Sequence, residues 1–371
     1  MSTKPMPFID LGAQYAEVQA EVDRRIQAVL SHRQYVQGPE VREVEARLAE
    51  YVGVSHCVTA SSGTTALQLA WMALDLKPGD EVIMPPFSFF ATLSTVLLTG
   101  ATAVLVDIDP ETYNIDPKRV AAAITPKTKA IVPVSLYGLC ADMEAINALA
   151  AAHGIAVVED AAQSLGAMLN GQYSGGLSTI GCVSFFPSKP LGCYGDGGAC
   201  LTNNAELGNR LRLLMNHGQR VRYDHVMLGL NARFDTLQAA ILLTKLSVFE
   251  AECQKRQQVA AWYRDALHAL SLKLPVCPSG YRHVYAQYTI EVPADARTRI
   301  QAALQEQGIP TMIHYETLMH HQPAVQGRSV RVHDVAHAER AAAEVLSLPF
   351  GPYMSESEVS RVADALKKVL R

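Results

Sequence analysis

Ala130-Ile-Val-Pro-Val134, the helical pattern from Met143 to His153 and Gly154-Ile-Ala-Val-Val-Glu159-Asp160 follow one another along the chain. The first and last of these segments are short, apolar and rich in β-branched residues, which is typical of strands buried on both faces. A strand, a helix and a second strand in this order predict a βαβ unit. The sequence therefore indicates the α/β class, with a mostly parallel sheet.

The second of these strands ends in acidic and amide side chains. Asp160 is its last residue, and Gln163 follows three positions later. Open α/β sheets bind their ligands at the carboxyl ends of strands, which makes Asp160 a candidate site residue. In the alternative interpretation Asp160 is the N-cap of the segment that follows it, and on these residues alone the two interpretations are equal.

A single lysine, Lys189, stands between an aromatic strand end and a glycine-rich turn in Ser184-Phe-Phe-Pro-Ser-Lys189-Pro-Leu-Gly-Cys-Tyr-Gly195-Asp-Gly-Gly198. Desolvation disfavours the charged form of an amine, and a neutral amine can attack a carbonyl to give a Schiff base. A solvated surface lysine is the alternative, and it is the commoner one for any lysine taken alone. Lys189 and Asp160 together predict a pyridine aldehyde cofactor, which needs an amine for its imine and a carboxylate for its ring nitrogen.

A third segment is a candidate site for the cofactor's phosphate. Ser61-Ser62-Gly63-Thr64-Thr65-Ala66-Leu67 follows an apolar strand and opens a predicted helix. The first amides of a helix have no partners within the helix, so they can bind an anion. The hydroxyls of Thr64 and Ser184 are candidates to complete this site. A simple helix cap is the alternative explanation.

Five segments together resemble the DegT-type, pyridoxal-phosphate-dependent nucleotide-sugar aminotransferases. They are Ser62 to Leu67, Pro85 to Thr92, Glu159 to Ser164, Ser184 to Lys189 and Asn231-Ala-Arg233, and the similarity extends from Phe8 to the C-terminal helix. The resemblance implies a fold-type-I aminotransferase, with an α/β large domain whose mostly parallel sheet is flanked by helices and a small C-terminal α+β domain. It also implies an enzyme that uses pyridoxal 5'-phosphate, with the pyridoxamine form (PMP) as intermediate.

The resemblance gives each matching residue an expected role. The catalytic residues are expected to be Lys189, which binds the cofactor covalently and moves protons, and Asp160, which faces the ring nitrogen. The other expected cofactor contacts are Gln163 at the phenolic oxygen, Phe89 against the ring, Gly63, Thr64 and Ser184 at the phosphate, and Asn231 at the phosphate of the neighbouring subunit. The expected substrate contacts are Arg233, His314 and Tyr315. The role of Asn231 implies a homodimer with shared active sites.

The resemblance also favours one kind of substrate. Pro190 follows the lysine where much of the family has asparagine, and this variant favours members that act on UDP-2-acetamido-2-deoxy-3-oxo-glucuronate at C3, with glutamate as donor, for surface polysaccharide synthesis. Thr65 and Glu316 depart from the commoner Asp and Pro, so the exact sugar stays open, and a 4-keto UDP- or dTDP-sugar is the main alternative. A sugar dehydrase, which has histidine in place of Lys189, and a non-catalytic regulator are weaker alternatives.

Composition sets further limits on the class of protein. The chain has 371 residues, 49% of them hydrophobic, and a formal net charge of -4, which argues against nucleic acid as a main partner. Its seven cysteines form no Cys-x-x-Cys pair and its histidines no zinc pattern, so we expect reduced thiols, no metal and a cytoplasmic location. The first seven residues contain no apolar export signal. Prolines and a glycine divide the uncharged run between Glu81 and Asp107, so no membrane segment is expected.

The chain is expected to divide at Leu274-Pro-Val-Cys-Pro-Ser-Gly280, because clustered Pro, Ser and Gly break regular structure. The predicted large domain covers residues 1–274 and ends with a long helix from Asp235 to about Leu267, and the small domain covers residues 275–371. In the small domain, Tyr285 to Val292 is predicted to be a strand and Ser355-Glu-Ser-Glu358 to cap the last helix.

Overall fold

A computed structural model describes residues 5–370 of the chain. Its α-helices are α1 (Leu11–His32), α2 (Pro39–Val52), α3 (Gly63–Ala73), α4 (Ala91–Leu97), α5 (Pro117–Ala123), α6 (Met143–His153), α7 (Ala205–Leu214), α8 (Thr236–Leu267), α9 (Arg297–Glu306), α10 (Ala336–Glu344) and α11 (Glu356–Leu370). Its strands are β1 (His56–Ala60), β2 (Glu81–Met84), β3 (Thr102–Leu105), β4 (Thr128–Ile131), β5 (Ala156–Asp160), β6 (Met168–Leu169), β7 (Gln172–Tyr173), β8 (Ile180–Ser184), β9 (Gly198–Thr202), β10 (Gln219–Val221), β11 (Asp224–His225), β12 (Tyr281–Arg282), β13 (Tyr288–Glu291), β14 (Val330–Val332) and β15 (Val345–Leu348).

Eight strands form the central sheet, in the order β1-β9-β8-β5-β4-β2-β3-β14. Only β9 runs antiparallel to its neighbours in this sheet, which is otherwise parallel. Alternate residues of β2 enter different cores: Ile83 packs in the core with α2, α6 and α8, whereas Val82 and Met84 pack in the core with α3, α4 and α7. The predicted mostly parallel sheet with helices on both faces is therefore confirmed.

Several elements have the bounds that the sequence predicts. Helix α6 matches its prediction, because the Asp142 carboxylate accepts from the amide of Ala145 at its start and Gly154 adopts a left-handed conformation at its end. The predicted strand from Glu81 to Met84 is β2, and the long helix α8 ends at Leu267 as predicted.

The C-terminal part of the chain contains a separate core. Strands β13 and β15 pair antiparallel and pack with α9, α11 and the second half of α8. The predicted capping box is confirmed: the amide of Ser355 donates to Glu358 Oε2 at 2.8 Å, and the amide of Glu358 donates to Ser355 Oγ at 3.3 Å. Strand β14, from the same part of the chain, is the edge strand of the central sheet. The domain division at residue 274 stays a prediction.

The predicted strand from Tyr285 to Val292 is wrong in its first half, since β13 begins at Tyr288. The preceding segment bonds to the loop after β4 instead: the amide of Val284 donates to the carbonyl of Gly138 at 2.9 Å, and the amide of Ala286 to that of Tyr137 at 2.8 Å. Across residues 5–370 no helix is long and apolar enough to span a membrane. The predicted lack of an export signal involves residues 1–4, which with Arg371 lie outside the described residues.

Candidate active site

One cavity, of about 480 Å3, brings together most of the predicted site residues. It is lined by Gly63, Thr64, Phe89, Asp160, Gln163, Ser184, Lys189, His314 and Tyr315, among others. Strand β5 ends at Asp160, β8 ends at Ser184 and helix α3 begins at Gly63. The cavity therefore lies at the carboxyl ends of parallel strands, where α/β sheets bind ligands.

The two acidic residues at the end of β5 point to different places, because successive side chains of a strand alternate between its faces. Glu159 is buried away from the cavity and accepts from the hydroxyls of Ser135 and Ser174 at 2.7 and 2.6 Å. Asp160 faces the cavity, and its Oδ2 accepts from Thr92 Oγ1 at 2.7 Å. The residues after Asp160 form turns and no helix, and Asp160 Oδ1 accepts from the amide of Ala162 at 3.2 Å, so Asp160 caps this turn as well as facing the cavity.

Burial changes the ionisation of both predicted catalytic residues. It lowers the pKa of Lys189, although the nearby Asp160 carboxylate acts in the opposite direction. It raises the pKa of Asp160, against the hydrogen bond from Thr92 and the charge of Lys189. Lys189 is thus a partly buried amine in a cavity and not the solvated surface lysine of the alternative interpretation.

The start of helix α3 lies against the end of β8. The Ser62 hydroxyl caps the helix by accepting from the amide of Thr65 at 3.0 Å, while Gly63 and Thr64 line the cavity. A Cβ atom on Gly63 would lie 2.7 Å from Ser184 Cβ, so only glycine allows this approach. The segment is thus both a helix cap and part of the cavity wall, where helix amides and hydroxyls can bind an anion.

Hydrogen-bond direction fixes the orientation of Gln163. The amide of Tyr137 can only donate, and it does so to Gln163 Oε1 at 2.8 Å. The NH2 group of Gln163 therefore faces Tyr315 and donates to its hydroxyl oxygen at 2.9 Å. Burial and the Asp160 carboxylate raise the pKa of Tyr315, so its hydroxyl stays protonated and is free to donate into the cavity.

His314 is a neutral residue in this wall. Burial and the nearby Lys189 lower the pKa of His314 to about 4. Its Nδ1 lies 3.0 Å from the hydroxyl of Ser347, and the hydroxyl of Tyr137 donates to its carbonyl oxygen. These contacts hold the His314-Tyr315 pair at the cavity.

Two exposed aromatic side chains line the cavity. Phe89 is 57% exposed, with its ring centroid 6.3 Å from that of Tyr315, and Phe186 is 50% exposed. A planar ligand can stack on such a ring. Sequence reasoning missed Phe186, although its position at the end of an aromatic strand is a usable signal.

Asn231 and Arg233 do not line this cavity. Arg233 Nε donates to Asn231 Oδ1 at 3.0 Å, and Arg233 lines a neighbouring cavity of about 470 Å3 that shares Ser62 and Asp196 with the first. Asn231 is exposed. Their expected roles, at a partner's phosphate and at the substrate, stay predictions.

Sequence reasoning also missed Thr92 and Gln287. The spacing Ser88-x-x-x-Thr92 can place two hydroxyls on one face of a helix, and the two oxygens lie 3.2 Å apart. Gln287 lines the cavity, and its buried Oε1 has no hydrogen-bond partner among residues 5–370. No sequence pattern identifies Gln287, because its contact with the cavity depends on the path of the segment before β13.

The cavity fits the predicted cofactor. It combines an amine of lowered pKa, a buried carboxylate, a helix start with hydroxyls, and exposed aromatic rings. Among residues 5–370, no three His, Cys, Asp or Glu side chains are grouped so that they could hold a metal ion. The expectation of no metal stays a prediction.

Comparison with known proteins gives one consistent result. The profile of the DegT/DnrJ/EryC1/StrS aminotransferase family matches residues 16–367. The chain is 51% identical to UDP-2-acetamido-2-deoxy-3-oxo-D-glucuronate aminotransferase of Pseudomonas aeruginosa, over 97% of this chain and 99% of the relative. It is 44% identical to UDP-N-acetyl-3-dehydro-alpha-D-glucosamine 3-aminotransferase of Acidithiobacillus ferrooxidans, over 98% of each.

A solved structure shows the same fold. NtdA from Bacillus subtilis, with bound cofactor PMP, superposes with a TM-score of 0.91 at 33% identity, over 100% of this chain and 86% of that one. These findings confirm the family resemblance, the fold class and the prediction of an aminotransferase. The chain belongs to the DegT/DnrJ/EryC1/StrS aminotransferase family.

Proposed function

We propose that this chain transfers an amino group from glutamate to C3 of UDP-2-acetamido-2-deoxy-3-oxo-glucuronate, with pyridoxal 5'-phosphate as its cofactor. One observation carries the proposal: Lys189 and Asp160 line one cavity in a chain that is 51% identical to an aminotransferase named for that sugar. The second relative is also named for amination at the 3 position of a UDP-sugar. The cofactor is supported by the PMP bound in NtdA.

Different residues of the cavity would contact different parts of the cofactor. Lys189 would bind it covalently, Asp160 would face its ring nitrogen, and Gly63, Thr64 and Ser184 would surround its phosphate. When bound, pyridoxal 5'-phosphate supplies a carbonyl that accepts the amino group and a protonated ring that takes up carbanion charge. Phe89, which lines the same cavity, would stack on the ring.

Lys189 also has the properties of a proton carrier. Burial lowers the pKa of its ammonium, so more of the amine is neutral than for a solvated lysine at the same pH. A neutral Nζ accepts the proton that leaves the α-carbon of the amino donor and later returns one to the product. His314, neutral because of its lowered pKa, adds no competing positive charge beside it.

The homodimer, the glutamate donor and the cytoplasmic location are parts of this proposal. The expected shared site is supported by Asn231, which is exposed and lies outside the cavity of its own chain. A reducing compartment is supported by the cysteines, all seven of which are free thiols in the described structure.

The substrate is tested by offering the purified protein and glutamate a panel of 3-oxo and 4-oxo nucleotide sugars and measuring release of 2-oxoglutarate. We expect turnover with the 3-oxo UDP-sugar acid. Turnover with 4-oxo sugars alone would show that the substrate assignment is wrong, but it would still support transamination. A sugar that loses a hydroxyl without gaining nitrogen would indicate a dehydrase.

The role of Lys189 is tested by trapping and by substitution. Borohydride reduction of the holoenzyme should attach the cofactor to Lys189, and Lys189→Ala should lose turnover by a factor of about 10^4 or more while it still folds. Lys245 is the matched control, since it is also buried and burial lowers its pKa to about 8. Label on Lys245 in place of Lys189, or steady-state transamination by Lys189→Ala, would contradict the assignment.

A further inference from the structure

A buried hydroxyl, that of Thr92, contacts the carboxylate of Asp160, and a second one, that of Ser88, contacts Thr92. Thr92 Oγ1 lies 2.7 Å from Asp160 Oδ2, and Ser88 Oγ lies 3.2 Å from Thr92 Oγ1. The side chains of Thr92 and Ser88 are buried, at 0% and 4% exposure. An ionised carboxylate can only accept, so Thr92 donates its single proton to Asp160 and Ser88 is left to donate to Thr92.

The second oxygen of the carboxylate is also occupied by a donor. The amide of Ala162 donates to Asp160 Oδ1 at 3.2 Å. The carboxylate therefore has a donor on each oxygen, and neither of the two donors is a charged group. Of the two, the Thr92 hydroxyl is the shorter contact and the one that a substitution can remove.

We propose that Thr92 is a positioning residue for the reaction, whose hydroxyl keeps Asp160 ionised and turned toward the cavity. The inference rests on the proposed function, in which Asp160 keeps the cofactor's ring nitrogen protonated. A hydrogen bond to a charged group stabilises that charge more than a bond between neutral groups does. The Thr92 hydroxyl thereby offsets part of the cost of burying the carboxylate.

Other titratable groups around Asp160 act on its charge as well. Lys189 favours the ionised carboxylate. Glu159 is an acidic neighbour whose own pKa is raised by burial and, to a smaller extent, by the charge of Asp160. The hydroxyl of Tyr315 and the thiol of Cys182 are neutral neighbours, because burial raises the pKa of each. Thr92 is the side chain that stabilises the ionised form without titrating itself.

Helix α4 supplies a matched control in Thr95. Thr95 is as buried as Thr92, and its hydroxyl is fully engaged: it accepts from Trp71 Nε1 at 3.0 Å and donates to the carbonyl of Ala91 at 2.9 Å. Within residues 5–370, the Thr95 hydroxyl forms no hydrogen bond with Asp160. Thr95→Val therefore removes a buried hydroxyl from the same region of the chain without touching the carboxylate.

The test compares the holoenzymes of wild type, Thr92→Val, Thr92→Ser and Thr95→Val. Thr92→Val should lower kcat by about 10- to 100-fold with little change in KM for glutamate, the loss that follows from one hydrogen bond to a charged group. The acid limb of its pH profile should move up by about one pH unit, because Asp160 then protonates more easily. Its dissociation constant for pyridoxal 5'-phosphate should rise by about tenfold as well.

The controls separate positioning from a general structural effect. Thr92→Ser keeps the hydroxyl and should stay within about threefold of wild type, with the wild-type acid limb. Thr95→Val should keep the wild-type acid limb even where it lowers thermal stability. An acid limb and cofactor affinity unchanged in Thr92→Val would overturn the inference and leave the proposed function intact. If the wild-type protein neither binds the cofactor nor transaminates, the proposed function itself is contradicted.

Discussion

Burial sets the ionisation of the side chains that matter most in this molecule. It lowers the pKa of Lys189, so that more of this amine is neutral and able to accept a proton, and it keeps His314 neutral. The same effect operates outside the lining of this cavity, where burial lowers the pKa of His283 to about 3. Each of these pKa shifts belongs to a single residue, and each should make activity or stability depend on pH.

His283 should make the stability of the fold depend on pH. Its stability contribution is present above its unfolded pKa of about 6.5 and is lost as the pH falls toward 3, because the unfolded chain then binds a proton that the folded chain does not. Between pH 6.5 and 4.5 this one residue should remove about 2 kcal/mol of the free energy of unfolding, as measured by urea denaturation.

The variant His283→Asn keeps an acceptor for the amide of Tyr285 and should flatten the pH dependence over that range by the same amount. His333→Asn is the control, since His333 is exposed, and its pH dependence should match that of the wild type. Equal slopes for His283→Asn and the wild type would contradict the prediction, because they would show that His283 binds its proton as readily in the folded state as in the unfolded chain.

At the scale of elements, the cavity is built where a strand end meets a helix start. Strand β8 and helix α3 come from distant parts of the chain, and they approach closely because residue 63 lacks a side chain. In strand β5, successive side chains point to opposite faces of the sheet. Asp160 therefore faces the cavity, and Glu159 faces away from it. The position of each site residue thus follows from the ends of a few elements.

Gly63→Ala should separate helix α3 from strand β8. The added Cβ would lie 2.7 Å from Ser184 Cβ, so the two elements must move apart, at a cost of about 1–3 kcal/mol. We expect the affinity for pyridoxal 5'-phosphate to fall by at least about tenfold, measured by fluorescence titration. Gly351→Ala is the control, because a Cβ there meets no atom within 4 Å. Unchanged affinity in Gly63→Ala would show that the start of α3 does not bind the phosphate.

At the scale of the whole molecule, the site of one chain lacks the contact that Asn231 is expected to provide. The side chain lies outside the cavity and pairs with Arg233. If the site is shared in a homodimer, Asn231 serves the cavity of the partner. A monomeric enzyme would have to work without it.

Mixing two impaired variants tests this arrangement. Lys189→Ala and Asn231→Ala should each be impaired as homodimers, but a mixed dimer contains one site with both residues intact. After unfolding and refolding together at equal amounts, the mixture should recover about a quarter of the wild-type activity, since half the dimers are mixed and each has one intact site. No recovery, with mixed dimers verified by tags, would place Asn231 and Lys189 in the same chain's site or remove Asn231 from the site.

The order of the elements and the identity of the chemical groups could be predicted from the sequence. The βαβ pattern, the cap of α6 and the capping box at Ser355 depend on neighbours a few positions apart, so they could be predicted from local rules. Lys189 and Asp160 could be predicted because the chemistry of an imine-forming cofactor requires an amine and a carboxylate.

Which groups share a cavity, and whether they are ionised there, depends on contacts that form when the chain folds. The bond from Thr92 to Asp160, the orientation of Gln163 and the path of the segment before β13 join residues that are far apart in the chain. The position of Arg233 outside the Lys189 cavity also depends on residues that are far apart in the chain. Hydrogen bonding and burial act through space, and a local pattern contains no information about the partners that folding brings near.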